Sequence, residues 1–122
     1  MAVSDEFVDL IKDQLVQFGH VTFKKMFGGV GLFARGVMFG LIVDDVLYFK
    51  KDDDNAKMFE DEDLGSFGYE SKTGKRTVMS YCRAPERVFD EADEMMIWAD
   101  AGMQAAIRAD HAKPKSKQKL TS

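Results

Sequence analysis

The sequence predicts an α+β domain in which helices cover an antiparallel sheet. Three observations predict it. Near the amino terminus, apolar residues recur at helical spacing. From Val30 onward the period changes to two, interrupted by very short turns. A long, broadly apolar helical segment then comes near the end. The predicted order is α-β-β-β-α-β-β-α, a two-layer arrangement forming one domain over residues 1–111. A chain of 122 residues holds a single core and little more.

The first helix opens at Ser4, whose hydroxyl suits an N-cap, and Asp5 and Glu6 favour the positive end of its dipole. Phe7, Leu10, Ile11, Leu15 and Phe18 make its core stripe, and Gly19 marks its stop. Strands are expected near 30–35, 37–43 and 46–50. Gly36 and Asp44-Asp45 leave turns so short that only antiparallel neighbours fit. The acidic block Asp52–Asp63 reads as a cap and a short solvated helix burying Ala56 and Phe59. Two further strands are expected near 67–71 and 76–82, joined by a polar turn, and Pro85 ends the second. The last helix, about 91–111, has a narrow polar stripe of Asp93, Asp100, Gln104 and Arg108. Met95, Met96, Met103 and Ile107 lie on one apolar side and Trp98 and Ala105 on another, wider than one sheet contact demands. Phe7, Leu10, Ile11, Leu41, Val43, Phe59 and Trp98 are expected to be buried.

Charge is divided unevenly. Residues 112–122, expected as a basic, disordered tail, hold Lys113, Lys115, Lys117 and Lys119 and no acid. With 17 basic and 21 acidic residues in the chain, those four leave 13 against 21 elsewhere, a net of −8. An acidic body argues against a broad nucleic-acid groove, because such binding draws on phosphate neutralisation. Weak nucleic-acid contact would fall to Lys24, Lys25, Lys72, Lys75, Arg76 and the four tail lysines. No apolar run approaches the ~18 residues of a membrane span, and the first residues lack the features of a signal peptide. A cytoplasmic protein without a membrane contact is expected.

Motifs for chemistry fail on spacing. Gly29-Val30-Gly31-Leu32-Phe33-Ala34 matches a dinucleotide fingerprint in letters, but β alternation follows where a helix must begin. Gly68 to Gly74-Lys75 has one residue too many for a P-loop, and Arg76 stands where a magnesium-binding hydroxyl is needed. The acidic block has no glycine at the sixth position of a calcium loop and no glutamate at the twelfth. Arg35-Gly36-Val37-Met38-Phe39 opens like a strand of an RNA-recognition motif but lacks the further aromatics. Cys82 excludes an internal disulfide and has no sequence-evident base, so it reads as a small core residue. On the opposite strand face, Tyr81 could place its hydroxyl at a surface. No catalytic residue, cofactor or metal is expected.

Lys25-Met26-Phe27-Gly28-Gly29-Val30-Gly31-Leu32-Phe33, Gly36-Val37-Met38-Phe39-Gly40-Leu41 and Leu47-Tyr48-Phe49-Lys50 resemble the amino-terminal domain of TfoX/Sxy-type competence regulators. Met79-Ser80-Tyr81, Pro85 and Asp93-Glu94 through Trp98-Ala99 follow in the same order. The resemblance implies a two-layer α-β(3)-α-β(2)-α fold similar to secretion-chaperone folds. It also implies a regulatory, protein-binding role related to transcription. Full-length regulators of this type act with a cyclic-AMP receptor protein and carry a carboxy-terminal domain, which this sequence is expected to lack. Cys82 stands where that family would have an aromatic residue. The partner is expected on the sheet and the last helix, with Met95, Met96, Met103 and Ile107 as contact residues and a homodimer as one form of partnership. Weak nucleic-acid binding, or a small-molecule pocket under the glycine-rich strands, are the alternatives.

Overall fold

The computed structural model describes residues 4–26, 28–62, 66–70 and 76–119, with 66–70 and 76–79 described as backbone. Helix α1 (Asp5–Gln14) begins as its sequence predicts, the Ser4 hydroxyl accepting the Phe7 N–H at 3.2 Å. A 3-10 turn (Val16–Phe18) follows, and Gly19, at φ +119°, turns the chain toward the sheet. The strands are β1 (Thr22–Met26), β2 (Gly29–Ala34), β3 (Val37–Val43), β4 (Val46–Lys50), β5 (Ser66–Glu70) and β6 (Arg76–Arg83). Helix α2 (Ala56–Asp61) separates β4 from β5, and helix α3 (Ala92–His111) follows a 3-10 turn at Glu86–Phe89.

All pairings are antiparallel, in the order β1-β2-β3-β4-β6-β5. The fold is therefore the expected α+β one, with a strand that periodicity does not reveal. β1 reads Thr-Phe-Lys-Lys-Met and lies at the sheet edge, where lysines guard unpaired backbone groups and alternation is lost. The β2–β3 and β3–β4 hairpins both turn through two residues of positive φ, Arg35-Gly36 and Asp44-Asp45, the type I′ geometry that matches strand twist.

Register assigns each strand residue to a face. Val30 pairs with Ile42, Leu32 with Gly40, Ile42 with Leu47, Gly40 with Phe49, and Phe49 with Cys82. These residues share the face that carries the core with Ile11, Leu15, Phe59, Met95 and Trp98. Between Leu32 and Phe33 the register slips, leaving Phe39 as an extra residue, a β-bulge. Phe39 is thereby delivered to the core, stacking on Phe18 (5.2 Å) and Phe49 (6.3 Å). Cys82 is fully buried, as a small core residue should be.

Helix α3 lies so close to β3 and β4 that a Cβ on Gly102 would stand 2.9 Å from the Phe39 carbonyl oxygen and 3.1 Å from the Phe49 Cβ. Much of the apolar circumference of α3 is used inside the chain, while Ile97 stays 52% exposed. One side meets the sheet; others meet α1 and the two 3-10 turns, and Trp98 takes Phe59 edge-on at 5.1 Å. Leu10, expected in the core, is instead 39% exposed, because α1 faces inward through Ile11 and Leu15. Phe7 and Val43 are half-buried; Ile11, Leu41, Phe59 and Trp98 are buried as expected.

Polar clamps fix the element ends. The buried Asn55 side chain accepts the Asp52 N–H (2.8 Å) and donates to the carbonyls of Lys50 (3.0 Å) and Ala101 (3.1 Å). Arg108 grips Asp52 with two nitrogens at 2.6 and 2.9 Å, which holds that carboxyl below its ordinary range. Arg87 does the same to Glu62 (2.8 and 2.9 Å) while its Nε donates to Glu94 at 2.7 Å. The segment expected as a disordered tail takes a 3-10 turn at Lys115–Lys117, and the Lys119 N–H donates to Asp110 Oδ1 at 2.6 Å.

Candidate interaction surface

The other face of the sheet is built by the same register. Phe33 pairs with Met38, Leu41 with Gly31 and Tyr48, Val43 with Val46, and Tyr48 with Arg83; Lys50 pairs with Tyr81 and Lys24 with Gly31. Among the described residues, none of the core that the helices share with the sheet lies on this side. Phe33, Met38, Val43, Val46 and Tyr48 are half-buried, while Leu41 and Tyr81 are covered by their neighbours. The face is apolar, and its charged strand residues are Lys24, Lys50 and Arg83. No acid stands among its described strand residues, in a protein of net charge −4.

Local contacts set these side chains. The space left by Gly31 is filled: a Cβ there would meet the Met26 and Met38 sulfurs at 2.7 and 2.8 Å and the Phe33 ring at 2.8 Å. Gly31 and Gly40 fall on opposite faces, so no shared hollow lies beneath the glycine-rich strands. Lys24 Nζ lies 6.0 Å from the Phe33 ring centroid, and Lys50 Nζ 5.1 Å from that of Tyr81. The Tyr81 hydroxyl does not reach a surface. It donates to the Met38 carbonyl at 3.3 Å, and burial pushes its pKa up to about 12. Tyr48 is raised as well, by burial first and then by Asp44, against the opposing pull of Arg83.

The expected contact residues scatter. Met95 is completely buried and Met103 nearly so, both in the core, whereas Met96 and Ile107 are half-buried on α3. These residues do not form one exposed patch. Among the basic residues, Lys24 stands on the open face, Lys25 on the other side of the edge strand, and both are exposed. Lys113, Lys115, Lys117 and Lys119 are exposed on the segment after α3. Lys72 and Lys75 lie outside the described residues, and Arg76 is described as backbone. A cleft of about 620 Å³ lies off the sheet's end, between Phe18, His20, Arg35, Asp100, Gln104 and Ile107. No group of three or more metal-ligating side chains occurs among the described residues, and no helix there is long and apolar enough to cross a membrane.

The family model of the TfoX N-terminal domain matches residues 13–106, a span that runs from the end of α1 through most of α3. The chain belongs to this family. Curated proteins provide no match. The matched span of the TfoX N-terminal domain contains every described strand residue of the open face and stops short of the lysine-bearing segment. The sequence points to Lys24 but not to Phe33, Tyr48, Lys50 and Arg83 as residues of the same face. That shared face depends on strand register, which alternation in a single sequence does not supply.

Proposed function

We propose that this TfoX N-terminal domain is a non-enzymatic regulatory module that docks a transcription-related protein on the open face of its sheet. One observation carries the reading. Helices cover a single face, and the uncovered one is apolar, with three cations and no acid among its described strand residues. Interfaces favour this chemistry: aromatic and methionine side chains at the centre, charge at the rim. The partner that fits is a protein surface with apolar anchors ringed by carboxylates. The same face also suits stacking of single-stranded bases on Phe33 and Tyr48 beside Lys24, which is the nucleic-acid alternative.

Affinity capture with the full chain as bait, followed by mass spectrometry and titration of the captured protein, tests this. A partner held by the native chain should be lost by the Phe33→Glu, Tyr48→Glu double variant. The same partner should be kept by Val16→Glu, a change at a residue 72% exposed away from the sheet face. Equal capture by both variants, each shown folded by circular dichroism, overturns the reading. Recovery of single-stranded nucleic acid in place of protein decides for the alternative.

A further inference from the structure

A cavity of about 230 Å³ opens where the segment after α3 meets the end of the open face. Its charged lining is Lys50 of β4, Lys113 and Lys119 beyond α3, and Asp110 in the last turn of α3. Phe33, Met38 and Tyr81 supply apolar wall. Three lysines against one aspartate give this lining a formal excess of two positive charges.

Asp110 is almost fully buried, and its Oδ1 accepts the Lys119 N–H at 2.6 Å. Gln118 Nε2 donates to the Lys113 carbonyl at 3.0 Å, closing the segment on itself. The carboxylate therefore anchors the piece of chain that carries Lys113 and Lys119 to the cavity. Lys50 is half-buried across from them. Its pKa is below the ordinary lysine value, first through burial and second through repulsion by Lys113, with Asp52 opposing. Collecting like charges at a partly dry wall costs free energy that an anion would offset.

We propose that this cavity binds a phosphate group between Lys50, Lys113 and Lys119. The charge selects the ligand: a phosphomonoester carries about −1.5 to −2 at neutral pH, matching the excess, whereas a carboxylate would leave it half met. Lysine serves as a point-charge binder of phosphate without needing a fixed planar geometry. The volume exceeds that of phosphate alone and leaves room for a small organic group against Phe33 and Met38. The group's source is either a free phosphate ester or the backbone of a nucleic acid. The site needs no partner protein, and it shares Phe33, Met38, Lys50 and Tyr81 with the margin of the open face.

The test is titration of the full chain with inorganic phosphate at fixed ionic strength, chloride making up the balance, read by amide chemical shifts. Saturable shifts at Lys50, Lys113 and Lys119 that chloride does not produce are expected. Lys50→Met should weaken binding by about tenfold, the worth of one charge-assisted hydrogen bond. That variant removes a half-buried charge, so folding is not at risk. The K113Q/K119Q pair, at exposed positions, gives a second handle with the same expectation. A single-stranded oligonucleotide that displaces phosphate from these amides supports the site with backbone phosphate as the source; phosphate that it fails to displace supports the site with a free ester. Phosphate shifts equal to those of chloride, or a response that survives both variants, overturn the proposal.

Discussion

Tyr48 and Phe49 are consecutive residues of β4, yet they stand on opposite faces of the same sheet. Phe49 is completely buried beneath α3, stacked near Phe39 and opposite Cys82. Tyr48 is half-buried on the uncovered face beside Leu41 and Arg83. Both faces are apolar, so hydrophobicity does not distinguish them. What distinguishes them is charge at the margin and the presence of a helix. The covered face uses its apolar area to hold the fold; the open face keeps its area available for something else.

The sharpest way to break this comparison is a pair of truncations. Phe49→Ala should cost about 3–5 kcal/mol in denaturant unfolding, since the cavity it leaves lies under a helix fixed by Gly102. Tyr48→Ala, one residue away, should cost less than about 1 kcal/mol. Equal losses would mean that the open face is as much a core as the covered one.

Closeness of the helix to the covered face can be tested next. Gly102→Ala gains helix propensity but drives a Cβ against backbone, because the Phe39 carbonyl oxygen lies 2.9 Å from its position. Overpacking of this kind costs roughly 1–3 kcal/mol, and a lowered thermal midpoint is the expected result. An unchanged midpoint would show that α3 can lift without loss.

On the open face, Tyr81→Phe removes the hydroxyl bonded to Met38 and should cost about 1 kcal/mol near neutral pH. The pH sign follows from a folded pKa of about 12 against an ordinary 10. The stabilisation of the neutral phenol is complete below pH 10 and is lost as pH rises toward 12. A phenolate absorbance titration checks it: one tyrosine should ionise well after an ordinary one.

The smallest effect belongs to the clamp between the acidic block and α3. Asp52→Asn should cost at most about 1 kcal/mol, as exposed ion pairs do. The Asp52 carboxyl is depressed from 3.8 by Arg108, so its contribution is present above that value and lost as pH falls through the lower folded one. Acid unfolding curves of the native chain and the variant should therefore converge at low pH.

The covered face is largely legible in the sequence. Val46 to Lys50 alternates cleanly, and Ile11, Phe59 and Trp98 follow from amphipathic spacing. The period of Val37 to Val43 instead breaks at the Phe39 bulge, which puts Leu41 and Val43 on the open face. β1 is not legible, because an edge strand with two lysines and one inward phenylalanine has no period to detect. The breadth of α3 has a second source beside any partner: the helix is lodged between a sheet, α1 and two 3-10 turns and takes apolar contacts on several sides. The open face stays hidden because Lys24, Lys50 and Arg83 are far apart in sequence. They come to one face only through the strand registers, one of them shifted by the bulge at Phe39. The lysine cavity depends in addition on the return of the segment after α3, which no local pattern announces.

Asn55 has a consequence for the rhythm of local opening. Its one side chain bonds to the end of β4, the turn before α2 and the middle of α3, and none of these can swing away while the three bonds persist. Amide hydrogen exchange in those places should accordingly share one opening event. The Asp52 amide, though close to solvent, should exchange with the slow amides around Ala101 and not with the fast ones of its own acidic turn. A short polar residue in a hydrophilic stretch thus ties three elements into one opening unit.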